Sequence, residues 1–254
     1  MLNVLDLFSG VGGFSLGLER TGQFRTTQFV EADPACRRVL QKHWPDVPIH
    51  DDVNTYDPGN QPFDVICGGF PCTDISFAGK GAGLEGDRSG LWYQYLRIIG
   101  QALPQWVLIE NVAALRQRGL PKVLHGLAEI GYHARWDCIP ASAVGAAHSR
   151  DRIWIIANPS RKRVEGLWSE GFKVPQPLDQ AFLPDGNGQR QWQVEPDLAK
   201  SVYGLSRRVD GSMKATLPGR SNSWMDEVKQ MGNAVVPAIP HAIGAEILRV
   251  EALS

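Results

Sequence analysis

The sequence predicts an α/β chain built on a doubly wound, mostly parallel sheet with a small irregular module attached, on three observations. Apolar runs of buried-strand length alternate with helix-like segments through the first two-thirds of the 254 residues. A glycine-rich turn follows the first run. The alternation then stops near Asn158, and helical character returns only close to the C-terminus.

Leu2–Leu7 is a short apolar strand, followed by the glycine turn and a helical stretch to about Arg20. Thr26–Glu31 reads as a second strand. Pro34 opens a helix at its first turn, where the missing N–H costs nothing. Phe63–Cys67 and Trp106–Ile109 are further buried strands, and between them Ser89 caps a helix from Gly90 to about Ala102. Pro121 starts a helix that ends near Gly131. Ala134–Ile139 and Ile153–Ala157 complete the strand set, and β–α alternation at this spacing implies helices on both faces. From Asn158 to about Ser223 the chain is rich in Pro, Gly, Gln and charge with isolated aromatics, too little to bury a core of its own. A last helix starts at Pro237 or Pro240 and is expected to pack beside the first strand.

The bulk numbers bound the function loosely. The net charge is −1, from 26 Lys+Arg against 27 Asp+Glu, which argues mildly against a nucleic-acid binder. Four scattered cysteines with no C-x-x-C pair suit a reducing compartment better than a disulfide framework or zinc site, and no metal is expected. Met1–Phe8 is short, interrupted by Asp6 and lacks a basic lead, so it reads as a strand and not a signal peptide. No apolar run approaches the roughly 18 residues of a membrane span. A cytoplasmic protein is the expectation.

The first turn reads Asp6-Leu-Phe8-Ser-Gly10-Val-Gly12-Gly13-Phe14-Ser15. G-x-G spacing lets backbone approach a ligand, and the next helix offers free N–H groups. Ser15 stands where a dinucleotide fingerprint has its third glycine. Glu31 follows about 20 residues on, where an acid accepts hydrogen bonds from ribose hydroxyls. Asp33 and the pair Asp51–Asp52 lie at or near successive strand ends. Any one of these is readable as a helix cap; in series they outline one nucleoside pocket. The missing glycine favours a nucleoside without pyrophosphate, S-adenosyl-L-methionine over NAD.

Gly68-Gly69-Phe70-Pro71-Cys72-Thr73-Asp74-Ile75-Ser76 follows the fourth strand. A cysteine on a strand-end loop of an open α/β sheet is placed for chemistry, and Pro71 restricts the backbone before it. Cys36, Cys67 and Cys138 read as buried small hydrophobes.

Gly-Phe-Pro-Cys after one strand, Glu110-Asn111-Val112 after the next, and Arg150-Asp151-Arg152 before the last resemble DNA cytosine-5 methyltransferases. Asp6–Gly13 is similar to that family's first motif and Gly232-Asn233-Ala234-Val235-Val236-Pro237 to its last. The motifs run in the family's order from residue 6 to about 250, most like the compact phage and prophage branch.

The resemblance implies a Rossmann-like, S-adenosyl-L-methionine-dependent methyltransferase. It further implies a catalytic region of residues 1–157 plus 228–254 and a target-recognition region of residues 158–227. Cys72 would add to C6 of a flipped-out cytosine, because C5 alone is too weak a nucleophile to attack a sulfonium. Glu110 would hold a proton against N3, and Arg152 would face O2, with Arg150 supporting it or the thiolate. Phe8, Gly10, Gly12, Gly13, Glu31, Asp33, Asp52, Asn233 and Val235 would hold the cofactor. Ser76, Lys80 and Arg88, on a loop with five glycines between Ala78 and Gly90, would meet DNA, as would Arg207 and Arg208. Arg161–Arg163 and Arg190 would touch phosphates or remain a solvated face. Double-stranded DNA, a cognate restriction endonuclease and a monomeric state complete the expectation for a bacterial or phage-infected cell.

Three positions depart from the family. His148 replaces the usual Gln before the arginine pair, Thr73 the common Gln after the nucleophile, and the ninth motif has only Tyr203–Asp210 to stand in for it. A tRNA-methylating relative shares the same site, and a non-catalytic binding relative would not need Cys72. A nicotinamide-dependent oxidoreductase would leave Gly-Phe-Pro-Cys without a purpose.

Overall fold

The computed structural model describes residues 1–71, 90–146, 149–168 and 234–253. The strands in this part are β1 (Leu2–Leu7), β2 (Phe24–Val30), β3 (Ile49–His50), β4 (Val65–Gly68), β5 (Trp106–Val112), β6 (His133–Pro140) and β7 (Asp151–Asn158). The helices are α1 (Gly13–Glu19), α2 (Pro34–His43), α3 (Leu91–Ala102), α4 (Leu115–Arg118), α5 (Leu120–Glu129), α6 (Arg161–Gly166) and α7 (Ala238–Glu251). Through residue 168, and again from Val235, the described residues belong to one compact unit.

One sheet carries the strands in the order β3-β2-β1-β4-β5-β7-β6. β3, β2, β1, β4 and β5 run parallel, and β7 inserts antiparallel to both β5 and β6. The winding reverses between β1 and β4, so the chain leaving β1 heads one way and the chain leaving β4 the other. Their carboxyl ends therefore open a crevice, the place where such sheets bind ligands.

Side chains alternate across the sheet and divide the core in two. Leu5, Leu7, Ile66, Val107, Ile109, Ile153 and Ile155 face one side, packed against Trp92, Tyr95, Ile98 and Ile99 of α3 and Leu120, Val123 and Leu127 of α5. Each such side chain taken fully out of water contributes roughly 1.5–3 kcal/mol. On the other side lie Val4, Asp6, Cys67, Leu108 and Trp154, where Phe14 of α1 meets the Trp154 ring edge-on at 5.4 Å. Glu110 and Arg152 have the parity of this second side, because Glu110 pairs with Trp154 and Arg152 sits two residues along.

Several local expectations shift. Glu110 is inside β5, and Asp151 and Arg152 are inside β7, where the sequence placed them beyond the strand ends. The reason is the antiparallel β5–β7 ladder, which extends to Val112↔Arg152 and carries polar residues as readily as apolar ones. α6 forms within the stretch read as irregular, burying Val164 and packing on β6 and β7. The closing helix α7 packs against α1, where Gly17 lets its backbone approach closely, and it reaches Phe24 of β2 and Trp106 of β5 on either flank of β1 and β4. Ser89, the expected cap of α3, lies outside the described residues, and Gly90 precedes that helix. Among the described residues no helix is long and apolar enough to cross a membrane.

Candidate active site

Two turns face each other across the crevice, one after β1 and one after β4. In the first, Phe8 and Gly10 take left-handed backbone angles, φ 54° and 56°. Phe8 is half-buried, its ring 6.0 Å from that of Tyr95. A side chain on Gly10 would meet nothing within 4 Å, so this glycine borders open space. Gly12 and Gly13 are glycine for an internal reason: a Cβ would lie 2.6 Å from the Trp44 ring or 2.7 Å from the Val235 carbonyl oxygen. Val235 thus returns to the turn from the far end of the chain.

Ser15, at the expected third-glycine position, is fully buried and donates its hydroxyl to Asp6 Oδ2 at 2.7 Å. Asp6 is itself fully buried. Loss of water pushes its carboxyl up to about 8, against the lowering effect of the Ser15 bonds. The sequence reading passed over this pair, although an acid inside an apolar strand was the available signal.

Glu31, one residue past β2, accepts from the Gly10 N–H through Oε2 and from the Asp33 N–H through Oε1, each at 2.7 Å. Burial raises its pKa, and these two N–H bonds oppose the rise. The acid is thereby fixed beside the open face of Gly10, an arrangement that fits a nucleoside with two hydroxyls to offer. The other acids have local duties as well. Asp33 caps α2 through the Ala35 and Cys36 N–H groups, Asp52 accepts from Asn54, and Asp51 lies 3.5 Å from Arg37.

Across the crevice, Gly69, Phe70 and Pro71 leave β4. Phe70 is buried against Trp92, ring centroids 5.4 Å apart. Extending the β4–β5 register beyond Gly68↔Ile109 places Gly69 opposite Glu110 and Phe70 opposite Asn111. Both relations are visible as contacts: a Cβ on Gly69 would lie 2.9 Å from Glu110 Oε2, and Asn111 Nδ2 donates to the Phe70 carbonyl at 3.1 Å.

Glu110 is buried, with its Oε1 2.8 Å from Arg152 Nε. Arg152 also donates through Nη1 to the Asp151 carbonyl at 3.0 Å. Burial raises the Glu110 pKa; Arg152 and Arg150 pull it down without cancelling the rise. Arg150 holds φ at 29°, rare for a side chain of its size, and burial with Arg152 nearby lowers its own pKa. A carboxyl kept above its ordinary range beside a cation gives one pocket both a proton donor and a positive charge. Gly69 and Asn111 stand within the quoted motifs without a role of their own in the sequence, and it is the folded strand register that sets them against Glu110 and Phe70.

Cys72, Thr73, Ser76, Lys80, Arg88, His148, Arg190, Arg207, Arg208, the Tyr203–Asp210 stretch and Asn233 lie outside the described residues. Arg161 pairs on the surface with Glu165 at 2.8 Å, and half-buried Arg163 with Glu251 at 3.0 Å. Cys36 and Cys67 are buried thiols, as expected, whereas Cys138 is half-buried.

Known proteins share this plan. The family model for C-5 cytosine-specific DNA methylases matches residues 2–221. The type II methyltransferase M2.BsuMI of Bacillus subtilis is 33% identical over 182 residues, 68% of this chain and 46% of the relative. M.Bsp6I of a Bacillus species is 34% identical over 70% of this chain and 58% of its own length. M.NgoBI of Neisseria gonorrhoeae is 30% identical over 95% of this chain and 73% of its own. The chain thus spans about half the length of the first two of these relatives. Among solved structures, a DNA modification methyltransferase encoded within an E. coli prophage matches at 26% identity and TM-score 0.53, covering 77% of this chain and 52% of the other. The Entamoeba histolytica methyltransferase EhMeth shares the fold at TM-score 0.66 and 14% identity, covering 100% of this chain and 99% of its own. With the family match covering most of its length, the chain belongs to the C-5 cytosine-specific DNA methylases.

Proposed function

We propose that this chain methylates C5 of a cytosine turned out of duplex DNA, through a transient bond between Cys72 and C6 of the base. The observation that carries the reading is buried Glu110 paired at 2.8 Å with half-buried Arg152, beside the Gly69–Pro71 segment that leads directly into Cys72.

The chain's own groups account for each step. The Cys72 thiolate adds to C6, and the electrons of the C5–C6 double bond move through C4 toward N3. Glu110 delivers its proton to N3, so the ring becomes a neutral enamine nucleophilic at C5. Arg152, with Nε on Glu110, turns its Nη2 end to O2 and stabilises the charge that gathers there. After C5 takes the methyl group, a base removes the C5 proton, the thiolate leaves from C6 as the C5–C6 double bond reforms, and N3 returns its proton to Glu110. S-adenosyl-L-methionine, the family's methyl donor, provides an electrophilic methyl carbon with a neutral thioether as its leaving group. Glu31 would grip its ribose, Phe8, Gly10, Gly12 and Gly13 would line its cradle, and Asp33, Asp52, Asn233 and Val235 would complete it.

Residues 1–157 and 228–254 would form the catalytic part and residues 158–227 the part that recognises the target. Ser76, Lys80, Arg88, Arg207 and Arg208 would meet the DNA, and the chain would act as a monomer. The type II names of its relatives favour a partner restriction endonuclease. The test follows tritiated methyl from S-adenosyl-L-methionine into genomic DNA free of cytosine methylation. Wild type should label the DNA, Cys72→Ser should not, and 5-fluorocytosine in the target should trap a covalent adduct. Labelling of tRNA but not of duplex DNA overturns the substrate, and an active Cys72→Ser overturns the mechanism.

A further inference from the structure

The β4–β5 ladder ends at Gly68↔Ile109, one residue short of Glu110, and the chain that must carry Cys72 begins there. Backbone pairing has little means of holding this chain any further. Residue 71 is proline and has no N–H to donate. The Phe70 carbonyl is instead held by a side chain. Asn111 is buried (3% exposed), donates from Nδ2 to Phe70 O at 3.1 Å, and accepts the Val112 N–H on Oδ1 at 2.8 Å. Its amide is thus fixed at both ends, and its neighbour in the strand is Glu110.

We infer that Asn111 is a positioning residue for the nucleophile: it extends the β4–β5 seam by one side-chain bond and thereby fixes Phe70–Pro71, and the attachment of Cys72, relative to Glu110. The inference rests on the proposed reaction for its catalytic consequence but not for the contact itself. A misplacement of about 1 Å at a reacting centre costs roughly 10²-fold in rate. The effect should appear in the chemical step and spare the cofactor, whose proposed contacts lie across the crevice at Glu31 and Gly10.

Two variants and three measurements separate the possibilities. Asn111→Ala should bind S-adenosyl-L-methionine as wild type does while its single-turnover methyl transfer to unmethylated genomic DNA falls by roughly 10²-fold. Asn111→Asp keeps the shape and the acceptor but donates only when protonated. Its rate relative to wild type should therefore recover as pH is lowered from about 8 to about 6, burial having raised the new carboxyl. An ionised carboxylate at this position, acting only through Glu110, would raise the Glu110 pKa and favour activity at higher pH, the opposite trend. Amide hydrogen exchange over residues 66–70 reads the anchor independently of any activity and should quicken in Asn111→Ala. Unchanged exchange, or a single-turnover rate within threefold of wild type, overturns the inference. A Cys72→Ser protein that still transfers methyl would instead overturn the reaction and leave the exchange result standing.

Discussion

At the scale of single residues, Glu110 is pulled two ways. Burial favours its neutral form, and two guanidinium groups favour its charged form. The net direction is upward, so the proton that the proposed reaction delivers to N3 persists to higher pH than on an ordinary carboxyl. In the proposed reaction Cys72 must lose its proton, which would make the rate bell-shaped in pH with Glu110 on the alkaline limb. Glu110→Gln should lower kcat by about 10²–10⁴-fold, the usual worth of a placed general acid, and leave equilibrium binding of S-adenosyl-L-methionine intact. Arg152→Met removes a charge that stabilises ionised Glu110, so the alkaline limb should move to higher pH even as the maximum falls. A pH–rate series on both proteins reads this, and a limb that moved down in Arg152→Met would show that Glu110 is not the group titrating. Both residues were legible in the sequence by resemblance. Their direct contact was not, because it depends on how β5 registers against β7, and register is a property of the folded sheet.

Among elements, the same lesson is carried by glycines in helices, which look alike in sequence and differ entirely in space. Gly17 of α1 lies under α7: a Cβ there would be 2.3 Å from the Pro237 carbonyl oxygen and 2.9 Å from Pro240 Cβ. No rotamer change moves a backbone carbonyl, so α7 would have to retreat. Overpacking of this kind costs about 1–3 kcal/mol, more than the ~1 kcal/mol that alanine gains over glycine in a helix. Gly100 of α3 is the contrast, exposed, with a single neighbour at 3.9 Å. Gly17→Ala should therefore lower the urea midpoint and Gly100→Ala should hold or raise it. Midpoints moving in the same direction would mean that helix propensity, not the α1–α7 contact, sets the outcome. The elements themselves were readable because apolar runs and proline or glycine boundaries are local signals. Which helix lies on which is not local, and the α1–α7 contact at Gly17 had no signal in the sequence. α6 was missed for a related reason, since its six residues hold together mainly by packing on β6, β7 and α7.

Over the whole molecule, distant segments close on one another through a few buried or half-buried polar groups. Glu251, at the end of α7, accepts from Trp106 Nε1 at 2.8 Å and Arg163 Nη1 at 3.0 Å, joining β5, α6 and the last helix. Asp6 is the more consequential group, because its burial sets how global stability responds to pH. Its Oδ2 holds Ser15 at the start of α1, and among the described residues Oδ1 has no nitrogen or oxygen partner. Cys67 lies beside it on β4. The carboxyl titrates near 8 in the fold against 3.8 for the ordinary group. Below the lower value both the folded and unfolded chains hold the proton, and Asp6 favours neither. As pH rises the unfolded chain releases its proton while the folded chain cannot do so cheaply, so stability drains away through the interval and levels off once the folded group also ionises. The side-chain amide of an Asp6→Asn protein keeps the acceptor for Ser15 and has no proton to lose. The variant's stability relative to wild type should therefore climb between about pH 5 and about pH 8, by an amount on the order of a few kcal/mol. Denaturant midpoints of the two proteins across that range isolate the effect, since every other titrating group is common to both. Parallel curves would mean that Asp6 carries its charge at neutral pH and that the floor of the glycine turn is more polar than its burial implies.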